Sequence, residues 1–317
     1  MQNSKLNAVG PDSGAEPTDL TGYFMDPQNF SVNDGDGIRT MLFFAGCPLA
    51  CQWCANPEGL AQPNRVAYHP ASCIGCGHCT TICPAGILID LNAPDQRSNC
   101  TSCGSCVEVC PTHSRKQLVR AWSTTEILSF LQRQLIFYRY SGGGVTFSGG
   151  EATLQPAILR YLVNDLYDQA VDLALETSGW FEFDEIRDIL EKLDLIFIDI
   201  KLMDPEKHRY FTGVSNEKIL ANIKRLNELD AEVVVRIPLI AGVNADEENI
   251  LATAQFVKTY LKYPKIELLP YHSFGDEKYE ALGLTLPSRD FKTPGPESIK
   301  ELIELIEAQG VEVKSYR

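Results

Sequence analysis

Cys47, Cys51 and Cys54 stand in the run Gly46-Cys47-Pro48-Leu49-Ala50-Cys51-Gln52-Trp53-Cys54-Ala55-Asn56-Pro57-Glu58, spaced C-x3-C-x2-C. Thiolate is the ligand that cluster iron prefers, and three thiols this close in sequence can wrap a short loop around three corners of a cubane iron–sulfur cluster. One iron then lacks a protein ligand. An open position on a metal centre is a place for a substrate.

Eight more cysteines follow as a repeat. Cys73, Cys76, Cys79 and Cys83-Pro84 are matched, 27 residues on, by Cys100, Cys103, Cys106 and Cys110-Pro111. This is the two-cluster run C-x2-C-x2-C-x3-C-P written twice, in which the fourth cysteine serves the other cluster. It assigns Cys73, Cys76, Cys79 and Cys110 to one 4Fe–4S cluster and Cys100, Cys103, Cys106 and Cys83 to a second. Zinc would want C-x2-C pairs rather than two runs of four closed by proline. All eleven cysteines lie between Cys47 and Cys110. They sort without remainder into three, four and four, so they read as metal ligands in a reducing compartment rather than as a disulfide framework. His69, His78, His113 and His208 have no partner pattern and are expected at the surface.

The elements that must position these thiols begin with a short strand over Gly22-Tyr23-Phe24-Met25. The turn Asp34-Gly35-Asp36-Gly37-Ile38-Arg39-Thr40 then feeds a strand over 41–44 that runs straight into the first cysteine loop. That places the loop at the C-terminal end of a strand, where parallel α/β folds keep their chemistry. From Thr124 onward helix and strand patterns alternate. Helices are expected over 124–140, 155–169, 184–192, 215–229, 246–261 and 296–309, and strands over 145–147, 172–175, 195–198, 232–238, 266–269 and 311–314. Apolar strands, each followed by an amphipathic helix, mean a parallel sheet. The six or seven units counted this way fall short of a closed eightfold barrel. The expected fold is therefore α/β, an incomplete (β/α)6-type barrel over 22–64 and 119–317. A ferredoxin-like insertion with two 4Fe–4S clusters would occupy 65–118. Residues 1–21, polar and rich in Gly, Pro, Asp and Ser, read as a flexible leader.

With 317 residues and 44% hydrophobic content, the chain has material for a sizeable core. Its net charge of -14 argues against nucleic acid, because phosphate backbones are held by a surplus of lysine and arginine. No apolar run approaches the roughly 18–20 residues of a membrane span. A cytoplasmic protein with no membrane contact is expected.

Polar residues collect where the strands should end: Ser148-Gly149-Gly150-Glu151, Glu176-Thr177, Asp199-Ile200-Lys201, Arg236-Ile237-Pro238 and Leu269-Pro270-Tyr271-His272. The glycines from Gly142 to Gly150 lack both G-x-G-x-x-G after a strand and the G-K-[ST] ending of a phosphate loop. On pattern alone, the acidic and basic residues read either as a site or as an ion pair and caps.

Together these runs resemble the radical S-adenosylmethionine (SAM) enzymes and, within them, the activating enzymes of glycyl-radical enzymes. The likeness covers almost everything after the leader. It rests on the DG-x-GIRT turn, GC-x3-C-x2-C-x-NPE, SGGGVTFSGGE, the run Thr212-Gly213-Val214-Ser215-Asn216 and LLPYH with Gly275 and Lys278-Tyr279. Two positions depart from the pattern. Asp36 stands where many relatives carry proline, and Ala152 replaces a proline that often follows GGE.

The resemblance implies that SAM chelates the open iron of the Cys47/Cys51/Cys54 cluster. Trp53 would lie against the adenine, and the carboxylate of Glu151, beside the close-approaching glycines, would take the amino group. An Asp-x-Lys would hold carboxylate and ribose, with a monovalent cation nearby. Residues implied around SAM are Trp53, Cys54, Ala55, Gly149, Gly150, Glu151, Thr177, Asp199, Ile200, Lys201, Arg236 and His272. One electron from reduced flavodoxin or ferredoxin would cleave SAM to methionine and a 5'-deoxyadenosyl radical, which takes a hydrogen from a glycine Cα of the partner enzyme. Asp34, Asp36 and Arg39 would stand near the barrel mouth, available to that partner's loop or serving the turn. The insertion would relay electrons or act as a docking and folding element. Two other classes remain at this level: a peptide maturase of the same superfamily, which typically carries extra cysteines after the barrel, and a non-catalytic ferredoxin-like electron carrier, which would not require the GGE and Asp-x-Lys residues.

Overall fold

The strands of the computed structural model, in chain order, are β1 (Thr21–Met25), β2 (Gln28–Ser31), β3 (Arg39–Phe44), β4 (Arg65–Tyr68), β5 (Arg115–Ser123), β6 (Gly144–Gly149), β7 (Asp172–Thr177), β8 (Leu195–Asp199), β9 (Glu232–Leu239), β10 (Lys265–Pro270) and β11 (Glu312–Lys314). The structure describes residues 19–60, 65–287 and 290–316; the leader expected over 1–21 lies outside them as far as residue 18. The strands form one mixed sheet in the order β11-β10-β9-β8-β7-β6-β3-β1-β5-β4, with β2 paired to β3 off that path. Neighbours from β3 through β6 to β11 are parallel, seven strands in all. This is the partial α/β barrel expected. The antiparallel extension by β1, β5 and β4 was not foreseen.

Side-chain alternation along the parallel strands separates two faces. One face carries Val145, Phe147, Leu173, Leu175, Ile196, Ile198, Val233, Val235, Ile237 and Ile266 into the main core. There they meet apolar residues of the helices Pro156–Asp168, Phe183–Leu190, Glu217–Leu226, Glu247–Tyr260 and Pro296–Ala308. Each large aliphatic or aromatic side chain buried this way contributes about 1.5–3 kcal/mol. The opposite face, toward the barrel interior, mixes Ala174, Phe197 and Val234 with polar Ser148, Glu176, Asp199 and Arg236.

Within the cysteine-rich stretch the short helices His78–Ile82, Pro94–Asn99 and Ser105–Glu108 were not expected. Beyond it two helices were missed, Pro205–Thr212 and Asp276–Ala281, and the helix expected over 124–140 is broken into Thr124–Gln132 and Leu135–Ser141. The first piece starts on a capping box, Glu126 N–H donating to Ser123 Oγ at 3.2 Å and Ser123 N–H to Glu126 Oε2 at 2.8 Å. The break lets the second piece turn so that the buried Tyr138 hydroxyl donates to Thr40 Oγ1 at 2.5 Å.

The cysteine-rich stretch lies between β4 and β5, and β5 runs through the boundary expected at 118. Its apolar cluster is small: Val66, Tyr68, Ile87 and Leu91, packed with Cys73, Cys83, Cys100 and Cys106.

Arg39 corrects the expectation of a mouth residue. It starts β3 and is 1% exposed. Its guanidinium donates to Thr146 Oγ1 at 2.7 Å, to Val145 O at 3.1 Å and to Asp172 Oδ1 at 2.7 Å. Arg39 therefore ties together the N-terminal ends of β3, β6 and β7, away from the cysteine loop. Asp34 faces inward, its Oδ1 3.9 Å from Arg236 Nη2, whereas Asp36 is exposed. His208 is likewise not at the surface but fully buried, for a reason that appears at the cysteine loop.

Candidate active site

The loop carrying Cys47, Cys51 and Cys54 leaves the C-terminal end of β3 and is pinned on three sides. At its root, Gly46 N–H donates to Gly59 O at 2.7 Å and Gly150 N–H to Phe44 O at 2.8 Å. A Cβ on Gly150 would collide with Gly46 O and stand 2.5 Å from Gly59 O, so three backbone segments meet where no side chain fits. On the second side, Ala50 N–H donates to Thr212 O at 2.7 Å and Gln52 N–H to Phe211 O at 3.0 Å. Those carbonyls end the helix Pro205–Thr212, which Asp204 caps at its start and Gly213, with φ 85°, closes. His208 secures that ending: its Nδ1 lies 2.6 Å from Val214 O and 3.0 Å from Thr212 Oγ1. On the third side, Lys278 donates to Asn56 Oδ1 at 2.9 Å and to Glu58 Oε1 at 2.6 Å.

The three thiols line a cavity of about 350 Å³ at the C-terminal ends of the parallel strands. Trp53, Ala55, Gly149, Gly150, Thr177, Asp199, Lys201, Arg236 and His272 line it with them. Trp53 is held by Phe211 and Phe291, at ring-centroid distances of 5.9 and 6.0 Å. Lys201 donates to Asp199 Oδ2 at 2.5 Å. Burial works against the Lys201 charge, but Asp199 and the neighbouring Cys51 outweigh it and raise the ammonium's pKa.

Burial pushes the Cys47 and Cys51 thiols up to about 12 and raises Cys54 as well, while Lys201 pulls Cys51 and Cys54 the other way. Three desolvated thiols of this kind become thiolates by exchanging their protons for a metal cation. Among the described residues no three His, Cys, Asp or Glu side chains converge as around a single ion. Three thiols lining one cavity suit three corners of a cluster.

Two of the expected SAM contacts are placed differently. Glu151 lies outside the cavity lining and is fully buried. Its carboxylate accepts from Thr153 N–H and Oγ1, Thr177 Oγ1, and Ser178 N–H and Oγ, at 2.6–3.3 Å. A carboxylate so fully hydrogen-bonded fixes the ends of β6 and β7 and is not available to an amino group. Ile200 points its side chain into the main core; its backbone N–H donates to Arg236 O at 3.0 Å.

Arg236 lines the cavity but is already engaged. It donates to Glu267 Oε2 at 2.6 Å, to Glu176 and to Asn33 O at 3.3 Å, and its guanidinium carbon lies 3.5 Å from the Phe197 ring centroid. Ser148 Oγ donates to the other oxygen of Glu176. Ser148 and Glu176 were named at the strand ends but given no contact, and Ser178 was not named. The signal was the period of two: Ser148 on β6 and Glu176 on β7 are inward positions, and Ser178 continues the series just past β7.

In the cysteine-rich stretch, Cys79, Cys83, Cys100, Cys103 and Cys106 line one small cavity with Arg115. Cys73 and Cys110 meet instead around Ser114, whose Oγ is 3.6 Å from Cys110 Sγ and also bonds Cys73.

Comparison with known proteins places this geometry. The model for the radical SAM superfamily matches residues 41–254. The trans-4-hydroxy-L-proline dehydratase activating enzyme of Clostridioides difficile is 37% identical over 292 residues, covering 90% of this chain and 96% of that one. The (2S)-3-sulfopropanediol sulfolyase activating enzyme of Bilophila wadsworthia is 39% identical over 273 residues, covering 83% and 89%. A radical SAM methyltransferase from Sphaerobacter thermophilus shares the fold, with a TM-score of 0.52 over 92% of this chain and 76% of its own at 13% identity. No helix among the described residues is long and apolar enough to cross a membrane.

Proposed function

This chain belongs to the radical SAM superfamily, among the activating enzymes of glycyl-radical enzymes, and on that premise we propose how its residues divide the work. It is an oxidoreductase that activates a partner glycyl-radical enzyme. The bound cluster and SAM supply the chemistry: one electron breaks the sulfur–C5' bond, and the 5'-deoxyadenosyl radical takes a hydrogen from a backbone glycine of the partner.

Cys47, Cys51 and Cys54 hold that cluster and leave one iron open. Lys201 offsets the negative charge of the thiolates and orients Asp199, which accepts hydrogen bonds from SAM hydroxyls or, with a monovalent cation, steadies the SAM carboxylate. Trp53 presents an aromatic face to the adenine, and the glycines at 149 and 150 let backbone carbonyls approach the amino group. Arg236, Glu176 and Glu267 form a rigid charged wall beneath. His272 closes the far side of the cavity. Crossed ligand sets in the insertion, Cys73/Cys76/Cys79/Cys110 and Cys100/Cys103/Cys106/Cys83, are favoured by the meeting of Cys83 with Cys100, Cys103 and Cys106 in one cavity, which Cys79 also lines, and of Cys73 with Cys110 at Ser114. Clusters held by these two sets would supply a path for electrons from reduced flavodoxin or ferredoxin.

The observation that carries this reading is that three half-buried thiols share one cavity with the Asp199–Lys201 pair. The test pairs the reconstituted protein with the product of a neighbouring reading frame that ends in a glycine-loop signature. With SAM and a reductant, an electron paramagnetic resonance (EPR) doublet of a glycyl radical is expected on that partner. An active SAM cleavage that leaves every such partner silent would overturn the assignment to glycyl-radical activation.

A further inference from the structure

The helix Asp276–Ala281 touches both cysteine regions. Just before it, Gly275 stands against the first loop: a Cβ there would lie 2.8 Å from Cys54 O and 3.0 Å from Ala55 Cα. One turn on, Lys278 bridges Asn56 and Glu58. At the other end, residues of the insertion take the helix's last carbonyls. Asn92 Nδ2 donates to Glu280 O at 2.7 Å and Arg97 Nη2 to Ala281 O at 3.2 Å. Arg97 also donates to Val66 O at 2.7 Å and to Asn92 Oδ1, so one guanidinium joins β4, the Asn92 turn and the helix end. Packing repeats the link, with Ala67 of β4 buried against Ala281 and Leu282. Gly283, at φ 63°, admits the clamp: a Cβ there would stand 3.3 Å from Arg97 Nε and Asn92 Oδ1.

A six-residue helix has no independent stability, and its terminal carbonyls need partners. Its placement is therefore set by what holds its two ends, and those holders are the Cys54 side of the first loop and the Arg97 clamp. We propose that Arg97, with Asn92, is a positioning residue for the three-cysteine site. Through this helix the insertion keeps the Cys54 edge of the loop and its Lys278 bridge in place, separately from any passage of electrons through its own cysteines. This rests on the function proposed above.

The test uses full-length reconstituted Arg97→Met, which keeps all eleven cysteines, with dithionite as reductant so that relay is bypassed. Iron per chain, 5'-deoxyadenosine release and the change in the EPR spectrum of the reduced protein on adding SAM are measured beside the wild type. Expected are wild-type iron, release lower by about tenfold or more, and a diminished SAM-dependent spectral change. Release within about twofold of wild type with the same spectral change would overturn the proposal. Should Arg97→Met lose iron, Asn92→Ala, which leaves the guanidinium in place, decides: reduced release supports the clamp and unaltered release refutes it. A wild type that releases no 5'-deoxyadenosine would sink the functional reading itself, whereas an active wild type matched by an equally active Arg97→Met sinks this inference alone.

Discussion

The cysteines at the barrel end and those between β4 and β5 are held in opposite ways. Around Cys47, Cys51 and Cys54 protein contacts fix the loop: it is bonded to Gly59, Phe211 and Thr212 and flanked by the main core, and burial pushes two thiols up to about 12. Of the other eight thiols, Cys73, Cys83, Cys100 and Cys106 pack on a core of four apolar residues, and Cys76 and Cys103 are exposed. There, hydrogen bonds outweigh burial at two thiols, while burial still raises Cys106. Against opposing burial, Ser114, the Arg115 backbone and Thr112 bring Cys110 down to about 7, and Ser105 lowers Cys103. The barrel site is a cavity whose walls are set by protein contacts. On the function proposed, the insertion, with so little apolar core, would lean on metal for folding, as small domains without enough core do.

Removing iron with a chelator is the strongest way to break this contrast. Amide exchange within residues 69–114 should accelerate by at least about a hundredfold while β6 to β9 stay protected. Equal loss in both regions would mean that the barrel depends on its cluster as heavily as the insertion does.

A smaller effect probes the protein-built side. Glu151→Gln places an amide among donors that all point at a carboxylate, and should lower stability by about 2–3 kcal/mol, read from the denaturant midpoint, with the KM for SAM of the folded enzyme nearly unchanged. Unchanged stability with a raised KM would put Glu151 back in contact with SAM.

The smallest effect concerns His208, whose pKa burial holds below 6.5, helped by the charge of Lys201. A folded pKa below the unfolded one means that the unfolded chain binds the proton more readily. The contribution of the neutral ring is present in full above 6.5 and declines as pH falls from there toward the folded value. Thermal midpoints between pH 7 and about 5 should therefore fall more steeply for wild type than for His208→Gln. Parallel profiles would remove the histidine from the account of the loop.

The parallel strands and the cysteine loop at the end of β3 were legible because both are written locally, in apolar runs set between helical patterns and in the step from strand to loop. What escaped was written across the fold. Nothing near Glu151 shows that Thr177 and Ser178 will enclose it, and Arg236 meets Glu176 and Glu267 through neighbouring strands. The helix Asp276–Ala281 is too short for a period to register. The helix Pro205–Thr212 did carry a signal, Asp204 with Pro205 at its start and Gly213 at its end. Its hydrophilic run Glu206-Lys207-His208-Arg209 hid the two buried residues, His208 and Thr212, that face the loop.

The most direct measurement of the central claim is 5'-deoxyadenosine release by anaerobically reconstituted protein given SAM and dithionite, with Cys51→Ser alongside. Release by the wild type and none by the variant is predicted, with the insertion's iron retained in both. No release by the wild type, or equal release by the two, would contradict the claim that these three thiols hold the iron at which SAM is cleaved.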